Sequence, residues 1–500
     1  MKLGAVVFVV VVGILLCLTP FAANLSSVRV HNLERGIIVR AGDYQPHGDI
    51  VITSNQDFVN QGWPGNGTVE TPYVISGFEF ATSLLAINVS NTDSHLLISD
   101  CLFTCPSGRH SGMAVELNSV QNVRIERCVF TSIACGPILR YSQRCSISEC
   151  GFEDADIPVL LYCSDECTLM NNTIEGSVGL YDSDNCTISS NAQRSDPWME
   201  MSSGFNMMWS DDCVLFNNTV IGNLAGLWLD SCLRVTLDCN TMLDNGVFVR
   251  GYESQYFDIS SSGNTVNGRP LGYFYGEQGL IIDGKEFGQM IIACCQDMSI
   301  QGGSFDNSTA GVLVVQSHGS YINNVTSRWN YYGMLVGGCS ECTIGNSTVA
   351  ENTFGIDLSD LPSQARILNN TVCDNVELGI GVSGDGHHIY WNTICRNGRN
   401  AIDSGSDNTW DDGVRCGNFW DDMIPGAVYL IPGTAGSVDH YPNGTPGTYT
   451  IPPTTTSVPW IGNDTTGVFP FTREAAMIVA AAGVSVTVAM AVIIRARRHP

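Results

Sequence analysis

The sequence contains CTLMNNTI at residues 167–174, CTISSNAQ at residues 186–193 and CVLFNNTV at residues 213–220. In each segment an aliphatic anchor follows a cysteine by two positions and precedes an asparagine by three. Of the twelve intervals between successive anchors, seven are 22 residues and the longest is 41, which indicates a single insertion. A period in this range is typical of a solenoid. The anchors are Ile98, Ile125, Ile147, Leu169, Ile188, Leu215, Leu237, Ile259, Ile300, Ile322, Ile344, Ile367 and Ile389.

Apolar residues also recur around each anchor with a period of two. Pairs such as Val178/Leu180 lie ten and eight positions before an anchor, and residues such as Phe152 lie five positions after one. Short period-two segments separated by Gly, Asn, Asp and Ser predict three strands per repeat. The sequence therefore predicts an all-β fold, a parallel β-helix of about thirteen coils with a repeat of ~22 residues, rising ~4.8 Å per coil.

The position three residues after the anchor indicates how the coils are held together. In three early repeats this position holds Cys101, Cys128 and Cys150, and in several later repeats it holds asparagine. An inward asparagine can bond to the coils on either side of it. Asparagine also simply favours turns, but its constant position favours a stacked column.

The two ends of the chain predict an anchored surface protein. An apolar run after Lys2 is typical of a signal peptide. A charge-free run from Ala475 to Ile494, followed by three arginines, predicts a transmembrane helix with its tail in the cytoplasm. The predicted segments are a signal peptide (1–23), an N-terminal cap (24–50), β-helix repeats (51–425), a C-terminal cap (426–445), a Thr/Pro-rich stalk (446–472), a transmembrane helix (473–494) and a cytoplasmic tail (495–500).

The formal net charge of −26 disfavours nucleic acid as a partner and is consistent with binding of cations or basic proteins or with solubility alone. Twelve Asn-x-Ser/Thr sequons are present, and five of them lie two residues after an anchor, where the side chain is expected to point outward. Asn-Asn-Thr turns also generate sequons without any glycan. The five candidates for glycosylation are Asn171, Asn217, Asn324, Asn346 and Asn369.

The cysteines predict disulfides or a packed thiol column. Cys373 and Cys395 each follow an anchor by six residues in adjacent coils, which makes them the best candidate pair for a disulfide. The cysteines two residues before the anchors, such as Cys145 and Cys167, are compatible with disulfides or with a packed column of thiols, since a buried cysteine is also a small apolar residue.

Several motifs outside the repeats resemble one family. The segments at residues 54–58, 62–68 and 72–75, the insertion at 264–271 and the closing segments at 408–420 and 431–442 are similar to archaeal cell-surface proteins of the NosD-like, right-handed β-helix type. The resemblance covers residues from about 50 to 445 and implies the pectin-lyase-like superfold. That superfold carries both sugar-processing enzymes and non-catalytic binding proteins, so it does not decide the function. The nine histidines are scattered, so the copper role that the family name implies is not carried over.

Acidic residues three or four positions before the anchors predict an acidic stripe. Asp165, Asp184 and Asp211 are expected on successive coils, where a Ca²⁺ ion would relieve their repulsion, although solvated turns give the same pattern. No firm cofactor is predicted beyond this possible Ca²⁺. No basic residue recurs beside the stripe, which argues against a polysaccharide lyase or hydrolase.

Aromatic residues on the outward side of the first strand predict a ligand face. Tyr162, Tyr181 and Trp228 are expected on this face, and aromatic rings suit the C–H faces of sugars. We therefore expect a membrane-anchored extracellular β-helix that recognises a glycan or a partner surface protein without catalysis. The alternatives are a carbohydrate-active enzyme and a structural component of the cell envelope.

Overall fold

The structure is a computed structural model that describes residues 44–108, 110–195, 203–359, 364–424 and 426–442. The predicted signal peptide, stalk, transmembrane helix and tail lie outside these ranges. Within them, no helix combines the length and apolar character needed to cross a bilayer.

The chain forms a right-handed parallel β-solenoid of about fifteen turns, built from three sheets. Sheet II carries the anchors and consists of a nine-stranded and a six-stranded part. The nine strands are Tyr73–Ser76, Leu96–Ser99, Val123–Glu126, Ser146–Ser148, Thr168–Met170, Thr187–Ser189, Val214–Phe216, Thr236–Asp238 and Ser260–Ser262. The six are Ile281–Asp283, Ser299–Gln301, Tyr321–Asn323, Thr343–Gly345, Arg366–Leu368 and His388–Tyr390.

Sheet I precedes the anchor in each turn. Its strands are Ile50–Ile52, Leu85–Thr92, Met113–Val120, Val129–Arg140, Val159–Tyr162, Val178–Tyr181, Ser203–Met208, Ala225–Asp230 and Val247–Arg250, then Arg269–Tyr275, Gln289–Ala293, Ala310–Val315, Tyr332–Gly337, Phe354–Ser359, Leu378–Val382 and Ala401–Asp403.

Sheet III follows the anchor and shares the bent strand Val129–Arg140 with sheet I. Its other strands are Gln45–Pro46, Phe78–Ala81, Leu102–Thr104, Gly151–Ile157, Thr173–Glu175, Ala192–Arg194, Thr219–Ile221, Thr241–Leu243 and Thr265–Val266, then Ser304–Asp306, Thr326–Arg328, Thr348–Ala350, Thr371–Cys373, Thr393–Cys395 and Phe419–Trp420.

Few elements lie outside the three sheets. An α-helix, Asn55–Gln61, buries Phe58 near the N-terminal end, and an antiparallel pair, Tyr429–Leu430 with Val438–Asp439, lies near the C-terminal end. Two 3-10 helices, Ser254–Phe257 and Gly284–Glu286, occur where the anchor spacing is irregular.

The solenoid is divided into two stacks at this irregular region. All three sheets are interrupted there: Val247–Arg250 does not pair with Arg269–Tyr275, and Ser260–Ser262 and Ile281–Asp283 belong to different sheets. The strands up to Thr265–Val266 are called the N-terminal stack and those from Arg269–Tyr275 onward the C-terminal stack. A short antiparallel pairing of Thr265–Val266 with Arg269–Pro270 links them.

The predicted register is wrong at one anchor, and two turns were missed. Leu237 pairs with Ser261, so Ile259 is not an anchor, because the 3-10 helix Ser254–Phe257 lengthens the connection before that strand. Ile75 and Ile282 pair with the anchors that follow them and head additional turns. The long interval before Ile300 therefore contains a complete turn and not a simple insertion.

The predicted asparagine column is present in the N-terminal stack. The backbone N–H of Asn191 donates to Oδ1 of Asn218 at 3.0 Å, and Nδ2 of Asn191 donates to the carbonyl oxygen of Leu169 at 2.9 Å. The same pattern repeats for its neighbours, so each amide joins two coils. A second column, between sheets III and I, was not predicted and contains Asn330, Asn352, Asn375 and Asn397.

Candidate functional site: an aromatic cleft between the two stacks

The second and third strands of sheet I in the C-terminal stack are buried on both faces. In Gln289–Ala293 and Ala310–Val315 every residue is buried. Alternate residues belong to two different cores: Met290, Ile292, Val312 and Val314 pack inside the C-terminal stack, whereas Ile291, Ala293, Leu313 and Val315 join the core of the N-terminal stack. The outward face of this sheet is therefore covered by the end of the N-terminal stack.

Gln289 fixes this junction with its side-chain amide. Its Oε1 accepts from the backbone N–H of Val247 at 2.9 Å, and its Nε2 donates to the carbonyl oxygens of Val247 and Ala310 at 2.8 and 3.0 Å. The side chain is fully buried. It forms hydrogen bonds with the backbone of Val247 that a neighbouring strand would otherwise form, because strand Val247–Arg250 has no further strand to pair with.

The cover is incomplete, and it leaves a cleft of about 350 Å³ beside the junction. One wall comes from the N-terminal stack and the other from the outward face of sheet I in the C-terminal stack. The lining residues include Trp228, Phe248, Arg250, Tyr252, Leu313, Gln316, Tyr332, Leu335 and Asp357.

Aromatic rings run across the cleft from one stack to the other. The ring centroids of Trp228 and Phe248 are 4.5 Å apart, and those of Phe248 and Tyr332 are 6.2 Å apart. Phe354 extends the row, 5.5 Å from Tyr332. Phe248 is 7% exposed, whereas Trp228 and Tyr332 are half-buried and offer apolar surface that can pack against the C–H faces of a sugar.

One charged residue lies on each wall of the cleft. Arg250 is an exposed residue of the N-terminal wall, and Asp357 belongs to the C-terminal wall. Among the described residues that line the cleft, these are the only charged side chains. An apolar site with a few placed polar groups is typical of ligand sites, because the polar groups fix the orientation of the ligand.

The predicted ligand face divides between this cleft and the surface beside it. Trp228 lines the cleft, whereas Tyr162 and Tyr181 lie on the same outward face of sheet I, in a row that continues through Met208 to Asp230 and Arg250. The three predicted residues thus share a surface but do not form one cluster.

Between Tyr181 and Trp228 the outward face carries Asn206. Its Nδ2 donates to the Tyr181 hydroxyl at 3.3 Å, and it is the register partner of Trp228. Its Oδ1 is buried and accepts no hydrogen bond within the described part of the chain. A buried acceptor without a donor is uncommon in native proteins.

Three residues of the cleft escaped the sequence prediction. Phe248 and Arg250 were not included in the predicted ligand face, and the anchor of their turn was placed at Ile259 although Ser261 pairs with Leu237. Tyr332 begins a strand of the other stack, and no pattern in the sequence indicates that this strand faces Phe248. The alternation of apolar residues identifies a strand but not the surface that covers it.

The acidic stripe is present, but it satisfies backbone groups. Oδ1 of Asp165 accepts the N–H of Asp184 at 2.9 Å, and Oδ1 of Asp184 accepts the N–H of Asp211 at 2.8 Å. Burial, followed by the charges of Asp211 and Asp165, raises the pKa of Asp184 above its ordinary value, although the N–H of Asp211 lowers it. The predicted Ca²⁺ site gains no support, since no group of three or more His, Cys, Asp or Glu in the described ranges is arranged to hold a metal ion.

The lack of such a group in the described ranges also bears on a copper site. His387, two residues before the anchor Ile389, is fully buried, and its Nδ1 accepts the backbone N–H of Ala365 at 3.0 Å. That nitrogen therefore carries no proton and is already used by the backbone. The described residues do not fit the ligand set that a protein copper site requires.

The remaining predicted positions lie on the solenoid as follows. Cys373 and Cys395 are register partners and are joined by a disulfide, with Cα atoms 4.6 Å apart. The described cysteines of the two inward columns are free thiols. The five sequon asparagines all adopt positive φ, between 52° and 57°, at the corner after sheet II: Asn171, Asn217, Asn324, Asn346 and Asn369.

This geometry defines a class of protein: a parallel β-solenoid with an aromatic cleft where two stacks meet. The chain belongs to the NosD family, because the family model described as periplasmic copper-binding protein (NosD) matches residues 75–271 and 249–424. No curated protein matches the chain at a significant level.

Solved structures with a similar fold are distant in sequence. The A-module of a mannuronan C-5 epimerase from Azotobacter vinelandii is 12% identical, covering 68% of this chain and 87% of that chain, with a TM-score of 0.24. A tailspike protein of E. coli bacteriophage HK620, solved with a pentasaccharide, is 11% identical, covering 73% of this chain and 70% of that chain, with a TM-score of 0.37.

Proposed function

We propose that this protein is a non-catalytic glycan-recognition protein, displayed outside the cell on the predicted stalk and transmembrane helix. The observation that carries the proposal is the row of rings Trp228, Phe248 and Tyr332 across a cleft of about 350 Å³. A sugar chain that enters the cleft can continue along the outward face of sheet I, past Asn206 and Tyr181.

The charges of the cleft favour binding over hydrolysis. Glycoside hydrolases commonly use a pair of carboxylates flanking the scissile bond. Asp357 is the one carboxylate among the described residues that line the cleft, and the other charged lining residue is Arg250. This arrangement supplies orientation and stacking but no acid and base pair.

A glycan array tests the proposal, with Trp228→Ala as the variant. We expect the protein to bind a defined set of oligosaccharides without releasing reducing ends. Loss of a ring at the centre of a binding site typically costs ~2 kcal/mol or more, or about 30-fold in affinity. Thermal unfolding should accompany the binding measurement, because Trp228 also packs on Phe248.

Trp329→Ala provides a matched control. Trp329 is 52% exposed, and its Nε1 donates to Glu351 at 2.8 Å, away from the cleft lining. This variant should bind as the unmodified protein does. Equal losses in both variants would place the binding elsewhere, release of reducing ends would favour the enzyme, and absence of any glycan binding would reject the proposal and favour a protein partner or a structural role.

A further inference from the structure

Arg250 differs from three arginines that lie on the sides of the solenoid. Arg127, Arg234 and Arg396 each direct two nitrogens at one aspartate of the preceding coil, at distances of 2.6 to 2.9 Å. Arg250 has Asp230 as its register partner in the preceding coil, yet in the described part of the chain it forms no ion pair. Its guanidinium remains exposed at the cleft.

We propose that the cleft selects an acidic oligosaccharide and that Arg250 binds the carboxylate of one sugar unit. This inference rests on the proposed function and names its ligand class. A guanidinium presents a planar fork of donors that matches a carboxylate with two parallel hydrogen bonds. The neighbouring rings of Trp228 and Phe248 hold the sugar ring to which that carboxylate is attached.

The position of Arg250 decides which part of a glycan it meets. Arg250 ends the outward row that contains Tyr162, Tyr181, Met208 and Asp230. A chain lying along this row stacks on the tyrosines and reaches an arginine without an ion pair only at the cleft, because Arg140, beyond Tyr162 in the row, pairs with Glu116. The site therefore binds one carboxylate at a defined place, and the remaining sugar units stack on the aromatic rings through their apolar faces.

The charge of the whole protein sharpens this selection. A net charge of −26 repels densely charged polyanions over the distance of the Debye length, roughly 8 to 10 Å at moderate ionic strength. Asp357 on the facing wall adds a local negative group. A ligand with one carboxylate among neutral sugars avoids most of this repulsion while still pairing with Arg250.

The experiment uses the intact protein and an array of oligosaccharides in which each uronic acid-containing chain is paired with its methyl ester. The ester keeps the shape of the sugar and removes the charge. We expect at least one acid to bind ~10-fold or more tightly than its ester, because a hydrogen bond to a charged group contributes about that factor. Arg250→Met should abolish this preference and leave binding of the ester within about two-fold.

Arg140→Met is the matched control, since Arg140 lies in the same outward row but is paired with Glu116 at 3.3 Å. It should keep the preference for the acid. Equal binding of acids and esters would overturn this inference and leave the glycan-binding proposal standing. A preference that survives in Arg250→Met would overturn the role of Arg250. Binding of neither form would overturn this inference, and it would overturn the glycan-binding proposal as well only if neutral oligosaccharides also fail to bind.

Discussion

Replacing Asn218 by aspartate tests the buried column that joins the coils of the N-terminal stack. Asn218 is 1% exposed, and its Nδ2 donates to the carbonyl oxygen of Ile188 at 2.8 Å and to Oδ1 of Asn240 at 3.0 Å. Aspartate has the same shape and keeps the acceptor for the N–H of Asn191. It replaces the donor nitrogen by an oxygen, however, so a buried carboxylate would face two other oxygen atoms.

We expect Asn218→Asp to lower the free energy of unfolding by ~3–5 kcal/mol at pH 7, the cost of a buried charge without a partner. Burial and the neighbouring oxygens raise the pKa of the new carboxyl in the folded chain. The folded state then binds the proton more tightly than the unfolded state does. The loss of stability should therefore shrink as the pH falls through the folded pKa toward the unfolded one.

Asn217→Asp is the matched control. Asn217 is the adjacent residue, exposed at the corner with φ of 54°, and Asp212 shows that aspartate is accommodated at φ of 55°. This change should alter stability by less than about 0.5 kcal/mol. Urea unfolding followed by circular dichroism, at pH 7 and at about pH 4, measures both variants. Equal unfolding midpoints for the two variants at pH 7 would refute the role of the column.

Three further predictions concern charge, the disulfide and glycosylation. Asp184→Asn should raise the melting temperature at pH 7, because it removes a carboxylate whose pKa is raised in the folded chain; the gain should fade as the pH drops through that pKa, and a constant gain in thermal scans would contradict this. Reducing the Cys373–Cys395 bond, which spans 22 residues, should cost ~3 kcal/mol of unfolding free energy, with no effect of reductant in a Cys373→Ala, Cys395→Ala variant. Glycopeptide mass spectrometry should find higher occupancy at Asn171 than at Asn346, whose Nδ2 already donates to Oδ1 of Asn323 at 2.8 Å; the reverse order would contradict this prediction.

The spacing of the anchors was enough to predict the coils wherever connections are short. Ile300, Ile322 and Ile344 are register partners, as their constant interval predicts. The inward asparagines follow from the same spacing, because a parallel ladder places equivalent residues of successive coils on top of one another. The same strand pairing recurs in each turn, so the residue pattern that specifies it also recurs along the sequence.

The acidic stripe was predicted in position, but its hydrogen bonds to the backbone were not predicted. The sequence places Asp165 and Asp184 one coil apart, and repulsion between them suggested a cation. In the folded chain each carboxylate accepts a backbone N–H from the next coil, which is the same task that asparagine performs in the neighbouring column. The choice between a cation and a backbone donor depends on side-chain direction, and the spacing does not determine that direction.

The sequence by itself determined the repeat, the three strands of each turn and the column that joins them, because these depend on neighbours one turn apart. Only the tertiary structure decided where the solenoid divides and what the cleft contains. Phe248 and Tyr332 meet because the end of one stack packs on the side of the other, with Gln289 between them. Such a contact joins surfaces far apart in the chain, and it occurs once, so no repeat in the sequence encodes it.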